Sequence, residues 1–494
     1  MPDKIRTRFA PSPTGYMHIG NFRSALYEYL IARRGGGTFI LRIEDTDQKR
    51  LVPGALEAIY RILAITGLTH DEGPDVGGDY GPYVQSERKN NYLSYAEELV
   101  RKGAAYYCFC GKDRYVTAEA DDPGGEDESD AADAPAFAKY DRRCLALSKE
   151  QVNENLRSGM PYVIRQFIPD GAVTFHDEVF GDITISSGEL DDQVLIKSDG
   201  MPTYNFANVV DDHLMKITHV VRGNEYLSST PKYNLLYDAF GWDVPTYVHL
   251  PLLLSERGGK LSKRKGDPTF EDLLDKGFLP EAIVNFCALL GWSPGDNREI
   301  FTLQELIEAF DISGISKSPS KVDMAKLTWM NGEHFKRMDA GKFYEMALPY
   351  LEAAVKRQNL GLDMRAIAAM AQPRISFLSD IPEMLDFIDE LPGYDTALYE
   401  HKKMKTDKQA ALASLEGILP VLRDFDGWGD NSKVYEFLAA HAERNGLKNG
   451  QLLWPVRTAL SGKPVTPCGA SELCVLLGKG ESLRRIEVGI EKLK

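Results

Sequence analysis

The sequence lacks long hydrophobic segments and is poor in cysteine. No apolar run approaches the roughly 20 residues that cross a membrane, and residues 1–13 contain no apolar stretch of the signal-peptide type. Six cysteines in 494 residues are too few and too scattered for a disulfide scaffold. These absences argue against a membrane protein and a disulfide-rich secreted protein, so we expect a cytoplasmic protein without a membrane partner.

Positive charge is also in deficit, with a formal net charge of −15. A uniform deficit would disfavour a nucleic acid partner, because phosphates are bound by Lys and Arg. Much of the negative excess lies in residues 118–135, which we interpret as a solvated acidic loop. Basic clusters occur at residues 33–34, 260–265 and 402–405. A polyanionic partner is therefore permitted but not implied.

Hydrophobic periodicity predicts an α/β body followed by an all-helical tail. The segment IRTRFAPSP predicts a strand, and the apolar residues after Asn21 recur at helical spacing, with Asn21 as the predicted N-cap. TFILRI (residues 38–43) predicts a second, buried strand, which completes a βαβ unit. A mixed segment, residues 92–199, looks like an insertion in a nucleotide-binding fold. Beyond about Lys336 only amphipathic helices are predicted.

A turn rich in proline and glycine, PSPTGYMHIGN (residues 11–21), joins the first predicted strand to the helix. Gly15 and Gly20 permit a close approach of backbone to a ligand, and a helix N-terminus suits a phosphate group. His18 lies just before that N-terminus and can donate a hydrogen bond to a phosphoryl oxygen. The turn is typical of an ATP site without a P-loop; the alternative is a structural turn with a surface histidine.

A basic, glycine-containing loop, LLLSERGGKLSKRKGDP (residues 252–268), follows a later predicted strand. Taken singly it predicts an exposed charged loop, but Lys260, Lys263 and Lys265 could reach the same phosphates from the opposite side. Activation of a carboxylate by ATP passes through a pentacovalent α-phosphorus that carries extra negative charge. Preorganised His and Lys donors stabilise that state without a protein nucleophile.

The motifs HIGN (residues 18–21) and KLSKR (residues 260–264) resemble the HIGH and KMSKS signatures of class I aminoacyl-tRNA synthetases. Longer stretches, among them LRIEDTD, VVRGNEYLSSTPKYNLLY and KLTWMNGEHF, are similar to the bacterial glutamyl-tRNA synthetases and follow the family's order from residue 8 to about 335. Asn21 replaces the second histidine of HIGH, and Arg264 replaces the serine of KMSKS. Asn21 can still donate and cap, and both lysines are kept.

The resemblance implies a Rossmann-type parallel sheet with an inserted α+β domain, followed by an all-α C-terminal anticodon-binding region. The implied domains are a split catalytic domain, an inserted acceptor-stem-binding domain, a KMSKS-like loop with a stem-contact domain, and a helical anticodon-binding region. The predicted limits are 1–91 and 200–255 for the catalytic domain and 92–199 for the inserted domain. Residues 256–335 are predicted to form the KMSKS-like loop with the stem-contact domain, and residues 336–494 the anticodon-binding region.

The resemblance further implies a monomer that uses ATP, Mg²⁺ and L-glutamate, with tRNA(Glu) as its partner and activation only when tRNA is present. His18, Lys260 and Lys263 are the implied catalytic residues, and Arg374 falls near the place of an anticodon-reading arginine. The implied ATP contacts are Pro11, Gly15, His18, Gly20, Asn21, Glu225, Leu253, Lys260, Lys263 and Arg264.

The glutamate pocket implied by the resemblance needs a cation for the side-chain carboxylate and an anion for the α-ammonium group. Arg8 and Arg222 are the cationic candidates, and Glu44 is the anionic one. All three residues lie at the carboxyl ends of predicted strands, where their side chains can converge on one ligand. The alternative is a structural ion pair between Arg8 and Glu44. The pocket is completed by Ala10, Ser12, Tyr204 and Asn208.

Cysteine and tyrosine spacing within the insertion predicts a zinc site. Cys108, Cys110, Tyr140 and Cys144 form a CxC…YxxxC pattern, and thiolates separated by a turn suit tetrahedral zinc. Against the site, Ala146 stands where a further ligand is usual. The alternative is a pair of half-buried thiols with a third nearby by chance.

Three other functions share parts of this pattern. A glutamyl-queuosine tRNA(Asp) synthetase also has CxC…YxxxC, but such chains end soon after the KMSKS-like loop. A carboxylate–amine ligase with HxGH chemistry would lack the helical tail. A non-catalytic paralogue would be expected to lose His18 or Lys263, and the sequence has both.

Overall fold

The computed structural model describes residues 4–110, 140–259, 261, 267–355 and 363–494. The chain divides into two compact units, Met1–Leu327 and Thr328–Lys494. The predicted acidic loop, residues 118–135, lies outside the described residues. No described helix combines the length and apolar character needed to cross a membrane.

The first unit begins with the predicted βαβ element. Strand β1 (Arg6–Phe9) pairs in parallel with β2 (Thr38–Leu41), and helix α1 (Ile19–Arg34) connects them. The buried side chains of α1, among them Phe22, Leu26 and Leu30, provide the apolar contacts of this element. The strand–turn–helix–strand prediction is confirmed.

The main sheet places β8 (His219–Gly223) and β9 (Thr246–Leu250) side by side and parallel. Strand β5 (Ala172–Asp177) meets β9 at a single parallel pair, Asp177 with Tyr247, and forms an antiparallel hairpin with β6 (Gly181–Ser186). Thr218, just before β8, joins β1 through its backbone N–H, which donates to the Arg6 carbonyl over 3.0 Å. The main sheet thus runs next to the first βαβ element.

A second, antiparallel sheet comprises β3 (Ala105–Cys108), β4 (Val163–Gln166) and β7 (Val194–Ile196). Its Ile164 and Leu195 belong to one hydrophobic cluster with Phe206 and Tyr233, which lie later in the chain. Strands β5 and β6, from the same stretch of sequence, extend the main sheet instead. The limits 92–199 for an inserted domain stay a prediction. The helices that flank these sheets are α2 (Ala55–Thr66), α3 (Lys89–Lys102), α4 (Lys149–Arg157), α5 (Tyr204–Leu214) and α6 (Thr230–Phe240).

The rest of the first unit is mostly helical and follows the basic loop. Strand β10 (Leu253–Leu254) enters that loop and pairs in parallel with β11 (Ser320–Lys321). The helices here are α7 (Phe270–Asp275), α8 (Pro280–Ala288), α9 (Leu303–Ala309) and the start of α10 (Met324–Arg337), which continues into the second unit.

The second unit is built from helices, and no described residue after Lys336 belongs to a β-strand. Leu415, Leu438, Leu460 and Cys474 are buried at its centre. Its last helix changes direction at Gly478, where φ is 73°. The all-helical prediction is confirmed. The helices after α10 are α11 (Ala340–Ala354), α12 (Met364–Ala371), α13 (Asp380–Leu385), α14 (Lys408–Arg423), α15 (Asn431–Arg444), α16 (Asn449–Ser461) and α17 (Ala470–Leu493).

Candidate active site

His18 is the N-cap of α1, and its ring orientation is fixed by the backbone of the first helical turn. The N–H groups of Gly20 and Asn21 donate to Nδ1 of His18 over 3.0 and 3.3 Å. The prediction that Asn21 is the N-cap is wrong, because the imidazole satisfies these orphan N–H groups and the helix begins at Ile19. An accepting Nδ1 carries no proton, so the neutral ring has its proton on Nε2.

Gly20 leaves the space that this ring occupies. A Cβ atom on residue 20 would lie 2.8 Å from Cε1 and 2.9 Å from Nδ1 of His18, closer than side chains approach one another. The same Cβ would lie 4.0 Å from Leu253 of β10. The absence of a side chain at Gly20 thus permits the histidine cap and the approach of the strand that leads into the basic loop.

The two described flanks of the basic loop both lie at the His18 turn. On one side Leu253 approaches Gly20; on the other, the Phe270 N–H donates to the Met17 carbonyl over 2.9 Å, and Thr269 forms a β-bridge with His18. The predicted catalytic and ATP-binding residues Lys260, Lys263 and Arg264 lie outside the described residues. The structure therefore brings the ends of the loop to the turn, as a shared ATP site requires.

Of the remaining predicted ATP residues, Pro11, Gly15 and Asn21 belong to the turn itself, and Leu253 approaches it. Pro11 and Gly15 are partly exposed, Asn21 is exposed, and Leu253 is buried. Glu225 lies in a short 3₁₀ turn that follows β8 directly. It is partly exposed, as a ligand contact requires.

Arg8 is buried and paired with carboxylates on two sides. Its Nε and Nη2 donate to the two oxygens of Asp212 over 3.0 and 3.2 Å, and Nη1 lies 3.4 Å from Oε1 of Glu28. Burial alone would lower the pKa of Arg8, but the nearby carboxylate of Asp212 raises it. The net result is a raised pKa. The guanidinium therefore stays charged, and its partners within the protein are Asp212 and Glu28 rather than Glu44.

Glu44 is buried beside a second arginine that sequence analysis did not single out. Arg42 donates to Oε1 of Glu44 over 2.9 Å and to Oδ1 of Asp212 over 2.7 Å, so Asp212 bridges Arg8 and Arg42. Gln85 donates to the same Glu44 oxygen over 3.3 Å. Burial raises the pKa of Glu44 to about 7 although Arg42 and Arg8 oppose the shift.

Arg222 differs from Arg8 in that its partners are all neutral. Nε donates to Nε2 of His249 over 3.1 Å, and Nη2 donates to Oγ1 of Thr230 over 2.9 Å. Among the residues that the structure describes, Arg222 forms no ion pair, although it is only 7% exposed. A buried guanidinium without a carboxylate is costly unless a ligand supplies one.

Two predicted pocket residues lie at the start of α5. Tyr204 is partly exposed, and desolvation of its hydroxyl group, together with the charge of Glu44, raises the pKa of that group. Asn208 is 2% exposed, and its Nδ2 atom is buried without a hydrogen-bond acceptor. Such a donor is rare in a folded protein and points to an acceptor on a ligand. The predicted lining residues Ala10 and Ser12 are partly exposed and exposed, respectively, where the chain leaves β1.

Two family models match the chain in succession. "tRNA synthetases class I (E and Q), catalytic domain" matches residues 4–329, and "Anticodon binding domain" matches residues 342–490. The chain belongs to the class I glutamyl- and glutaminyl-tRNA synthetases. The synthetase thus carries the class I catalytic fold in its α/β unit and an anticodon-binding domain in its helical unit.

Similar proteins cover this synthetase from end to end. Glutamate–tRNA ligases of Clostridium botulinum (strain Hall) and Lachnoclostridium phytofermentans are 55% and 57% identical to it, over 100% and 99% of this chain and 99% of each relative. A crystal structure of a glutamate tRNA ligase from Elizabethkingia meningosepticum, in complex with its amino acid, is 36% identical and has a TM-score of 0.81, covering all of both chains.

The cysteine and tyrosine residues of the predicted zinc site lie together in the synthetase. The sulfur atoms of Cys108, Cys110 and Cys144 all lie within 4.8 Å of one another. The Tyr140 hydroxyl group lies 3.1 Å from Cys108 and 3.3 Å from Cys110, and the sulfur atoms of Cys110 and Cys144 are 3.6 Å apart. The structure thus brings these four residues together, and their role as zinc ligands stays a prediction.

The surroundings of this cluster shift the pKa values of the two thiols of the CxC pair in opposite directions. Burial alone would raise the pKa of Cys108, but hydrogen bonds with Tyr140 and the Cys110 backbone and the positive charge of Arg165 outweigh it and lower that pKa. Burial, together with the neighbouring thiols, raises the pKa of Cys110 to about 11 although the Tyr140 hydrogen bond opposes the shift. The Arg165 guanidinium also lies 4.1 Å from the centre of the Tyr140 ring.

Arg374 lies in the helical unit, at the end of a 3₁₀ turn that follows α12. The side chain is exposed. An exposed arginine is available for a contact with RNA, and its role at the anticodon stays a prediction.

Sequence analysis missed the residues that hold the predicted pocket residues in place: Asp212, Arg42, Gln85, His249 and Asp177. One signal was available for Asp212, because the adjacent acids of PTYNFANVVDD directly follow an apolar Val-Val pair on a predicted helix. For His249 the sequence offers only a polar residue inside a strand of buried residues.

Proposed function

We propose that the synthetase is a glutamate–tRNA ligase. It activates L-glutamate with ATP to glutamyl-adenylate and diphosphate, and then transfers glutamate to the 3′-terminal adenosine of tRNA(Glu). The similarity to glutamate–tRNA ligases along the whole chain supports this function. The observation that carries it is the buried Arg222, a cation that has only neutral partners among the described residues. The buried amide donor of Asn208, which has no acceptor, is a second group left for a ligand.

In this proposal Arg222 binds the side-chain carboxylate of glutamate. Arg8 already has two protein carboxylates, whereas the charge of Arg222 is left for the substrate. Glutamine would place a neutral amide against a buried cation and be rejected for the unmatched charge. Asn208 Nδ2 donates to the substrate, and Tyr204, Ala10 and Ser12 line the pocket.

Glu44 accepts from the α-ammonium group of glutamate. Its Oε1 atom is engaged by Arg42 and Gln85, so Oε2 is the atom assigned to the substrate. Burial raises the pKa of Glu44 to about 7, and a bound ammonium group favours the ionised form again. Arg8, held by Asp212 and Glu28, lines the glutamate pocket from β1.

The activation step is an attack of the glutamate α-carboxylate on the α-phosphorus of ATP, with diphosphate as the leaving group. His18 donates from Nε2 to a phosphoryl oxygen, because Nδ1 is occupied by the helix backbone. Lys260 and Lys263 stabilise the negative charge that develops on the phosphorus. Pro11, Gly15, Gly20, Asn21, Glu225, Leu253 and Arg264 complete the site for ATP, which binds with Mg²⁺.

The cysteine cluster is proposed to hold a structural zinc ion. With Zn–S bonds of about 2.3 Å, tetrahedral coordination separates ligand atoms by about 3.8 Å, close to the 3.6 Å between the Cys110 and Cys144 sulfur atoms. Cys108, Cys110, Cys144 and Tyr140 would hold the metal. Zinc would supply a crosslink between β3 and the chain around Cys144.

We further propose that tRNA(Glu) contacts both units of a cytoplasmic, monomeric enzyme. Residues 92–199 bind the acceptor arm, and the helical unit reads the anticodon with Arg374 as one contact. An exposed arginine suits this task, because it can stack on a base or donate to its edge.

The central test is glutamate-dependent exchange of diphosphate into ATP, with and without purified tRNA(Glu), followed by charging of that tRNA. We expect exchange only with tRNA present, and charging with glutamate but not glutamine. Absence of glutamate charging would refute the proposed ligase. Robust exchange without tRNA would refute only the dependence on tRNA.

The same assay with purified tRNA(Gln) tests the breadth of tRNA recognition. We expect tRNA(Glu) to be the better substrate, as judged by kcat/KM for tRNA. Equal charging of the two tRNAs would show that the anticodon-binding unit does not separate them.

A further inference from the structure

The guanidinium of Arg222 is held in place without being neutralised. Its hydrogen-bond acceptors are His249 Nε2 and Thr230 Oγ1. The aromatic rings of Tyr233, Tyr226 and Tyr247 surround it, with their centres 4.5, 5.2 and 5.4 Å from Cζ. Rings stabilise a cation by their quadrupole and leave its net charge intact. Every described contact of this guanidinium therefore fixes its position and preserves its charge.

The proton of His249 is located by its two partners. Nε2 accepts from Arg222, so it carries no proton, and Nδ1 lies 2.7 Å from Oδ2 of Asp177. A carboxylate only accepts, so the ring proton is on Nδ1. A proton on both nitrogens would set an N–H group against the N–H group of Arg222 and break that contact. Burial lowers the pKa of His249 to about 4 although Asp177 opposes the shift, so the ring is neutral at physiological pH.

Asp177 is itself fixed at the point where β5 meets β9. Its Oδ1 accepts from the N–H groups of Val179 and Phe180 over 2.9 and 2.8 Å, and its Oδ2 accepts from the N–H of His249 over 3.0 Å. Both side chains of the pair are completely buried. The carboxylate is thus on the far side of the imidazole ring from Arg222 and orients the ring without contacting the guanidinium.

The contrast with the neighbouring arginines shows what the intervening ring changes. Arg8 and Arg42 contact Asp212 directly, within 3.0 and 2.7 Å, so their charges are matched inside the protein. Arg222 instead contacts a neutral nitrogen of His249, which lies between it and Asp177 in a series of hydrogen bonds. A direct carboxylate would position Arg222 equally well but would compete with a carboxylate of the substrate.

We propose that His249, oriented by Asp177, is a positioning residue that sets the amino acid specificity: it supplies a neutral acceptor that fixes Arg222 while leaving its positive charge to the side-chain carboxylate of the substrate. This inference rests on the proposed ligase function. It assigns discrimination between glutamate and glutamine not to Arg222 alone but to the chain of three residues behind the pocket.

The test compares two double variants that differ by one charge at one position. D177N/H249Q has a neutral acceptor at position 249, and D177N/H249E has a carboxylate of the same length. The D177N change removes repulsion between residue 177 and the carboxylate introduced at position 249, and its amide group can donate to that carboxylate. KM and kcat for glutamate and KM for ATP are measured with tRNA(Glu), together with thermal unfolding of each variant.

We expect D177N/H249Q to keep the glutamate KM within about tenfold of wild type. The D177N/H249E variant should raise it by a further factor of about 100, on the scale of a lost charge-assisted hydrogen-bond pair, with the ATP KM changed less than about threefold. Preference for glutamate over glutamine in kcat/KM should fall in the D177N/H249E variant alone. Equal glutamate KM values in the two variants would overturn the proposal.

A third variant keeps the test decisive if the charged variant does not fold. H249F retains an aromatic ring but removes the acceptor for Arg222, and we expect the glutamate KM to rise about tenfold with little change in the ATP KM. A wild-type glutamate KM in H249F would also overturn the positioning role. Failure of the wild-type enzyme to charge glutamate would instead refute the proposed function, so the two failures are distinguishable.

Discussion

The backbone of His18 forms a β-bridge with Thr269, a residue that lies directly after the basic loop. The neighbouring Phe270 N–H donates to the carbonyl of Met17, so two consecutive residues from each segment are joined. The capping histidine and the exit of the loop therefore share one rigid contact.

Replacement of Gly20 by alanine should disable the histidine cap while sparing the fold. The new Cβ would lie 2.8 Å from the His18 ring and displace it, so that Nδ1 could no longer accept from the backbone N–H groups of the helix. We expect kcat for adenylate formation to fall by about 10², although alanine favours a helix by about 1 kcal/mol. Exchange kinetics and thermal unfolding measure the two effects. The matched control is Gly480→Ala, where a Cβ would meet nothing within 4 Å; equal activity of the two variants would contradict the prediction.

Replacement of Lys263 by alanine should lower the rate of glutamate activation by about 10² or more, the scale of one preorganised donor. Affinity for tRNA should change little, because the lysine is assigned to the phosphates of ATP. Single-turnover adenylate formation and filter binding of tRNA separate these quantities. Lys276→Ala removes an exposed lysine beyond the loop and serves as the control. Wild-type turnover in Lys263→Ala would remove this residue from the mechanism.

Replacement of Asn208 by alanine should affect substrate binding more than stability. Its Nδ2 atom is buried without a partner, so removal of the amide group should leave the free energy of unfolding within about 1 kcal/mol of wild type. The glutamate KM should rise about tenfold. Asn234, whose Oδ1 accepts from the Tyr247 hydroxyl over 2.8 Å, is the control. Its alanine variant should lose about 1–3 kcal/mol of stability; the opposite ranking of the two variants would show that Asn208 is structural.

Removal of one thiol from the cysteine cluster should abolish zinc binding. Cys144→Ser leaves two sulfur ligands, and the zinc content of the purified protein, measured by mass spectrometry, should fall from about one per chain toward zero. Cys468→Ser removes a buried cysteine of the helical unit and should leave the zinc content unchanged. Metal-free wild-type protein would contradict the site.

The stability of the protein should depend on His249 in acid. Burial lowers the pKa of His249 from 6.5 to about 4, so between these values the unfolded chain binds a proton that the folded chain does not. Stability from this residue is therefore intact above pH 6.5 and falls progressively as the pH approaches 4, by up to about 3 kcal/mol. Urea unfolding of the wild type and of H249Q is measured across this pH range. The contribution of His249 is the difference between their free energies of unfolding.

The difference between the two proteins is needed because other groups also titrate. Glu44, with a pKa raised to about 7 by burial, favours the folded state as the pH falls from 7 to its ordinary value, and it is present in both proteins. The groups that contact the His249 ring are Asp177, Arg222 and Thr230, with Tyr247 nearby. If the difference in free energy of unfolding stayed constant between pH 6.5 and 4, His249 would not be buried in its neutral form.

The local elements were largely predictable from the sequence. The strands IRTRF and TFILRI, the helix between them and the helices of the second unit follow from apolar periodicity, which reflects only which face is buried. The spacing of Cys108 and Cys110 with Tyr140 and Cys144 likewise predicted their proximity. The N-cap was misassigned because both Asn21 and His18 can accept backbone N–H groups, and only the backbone path shows which one does.

The sequence by itself determined the family and the order of the main strands and helices, because these are written in short-range patterns. Only the tertiary structure decided how the buried charges are shared. It placed Asp212 between Arg8 and Arg42 and set a neutral His249 between Asp177 and Arg222. Partners in these contacts come from different strands and helices, and electrostatic energy depends on their distance in space and their burial rather than on their separation in sequence.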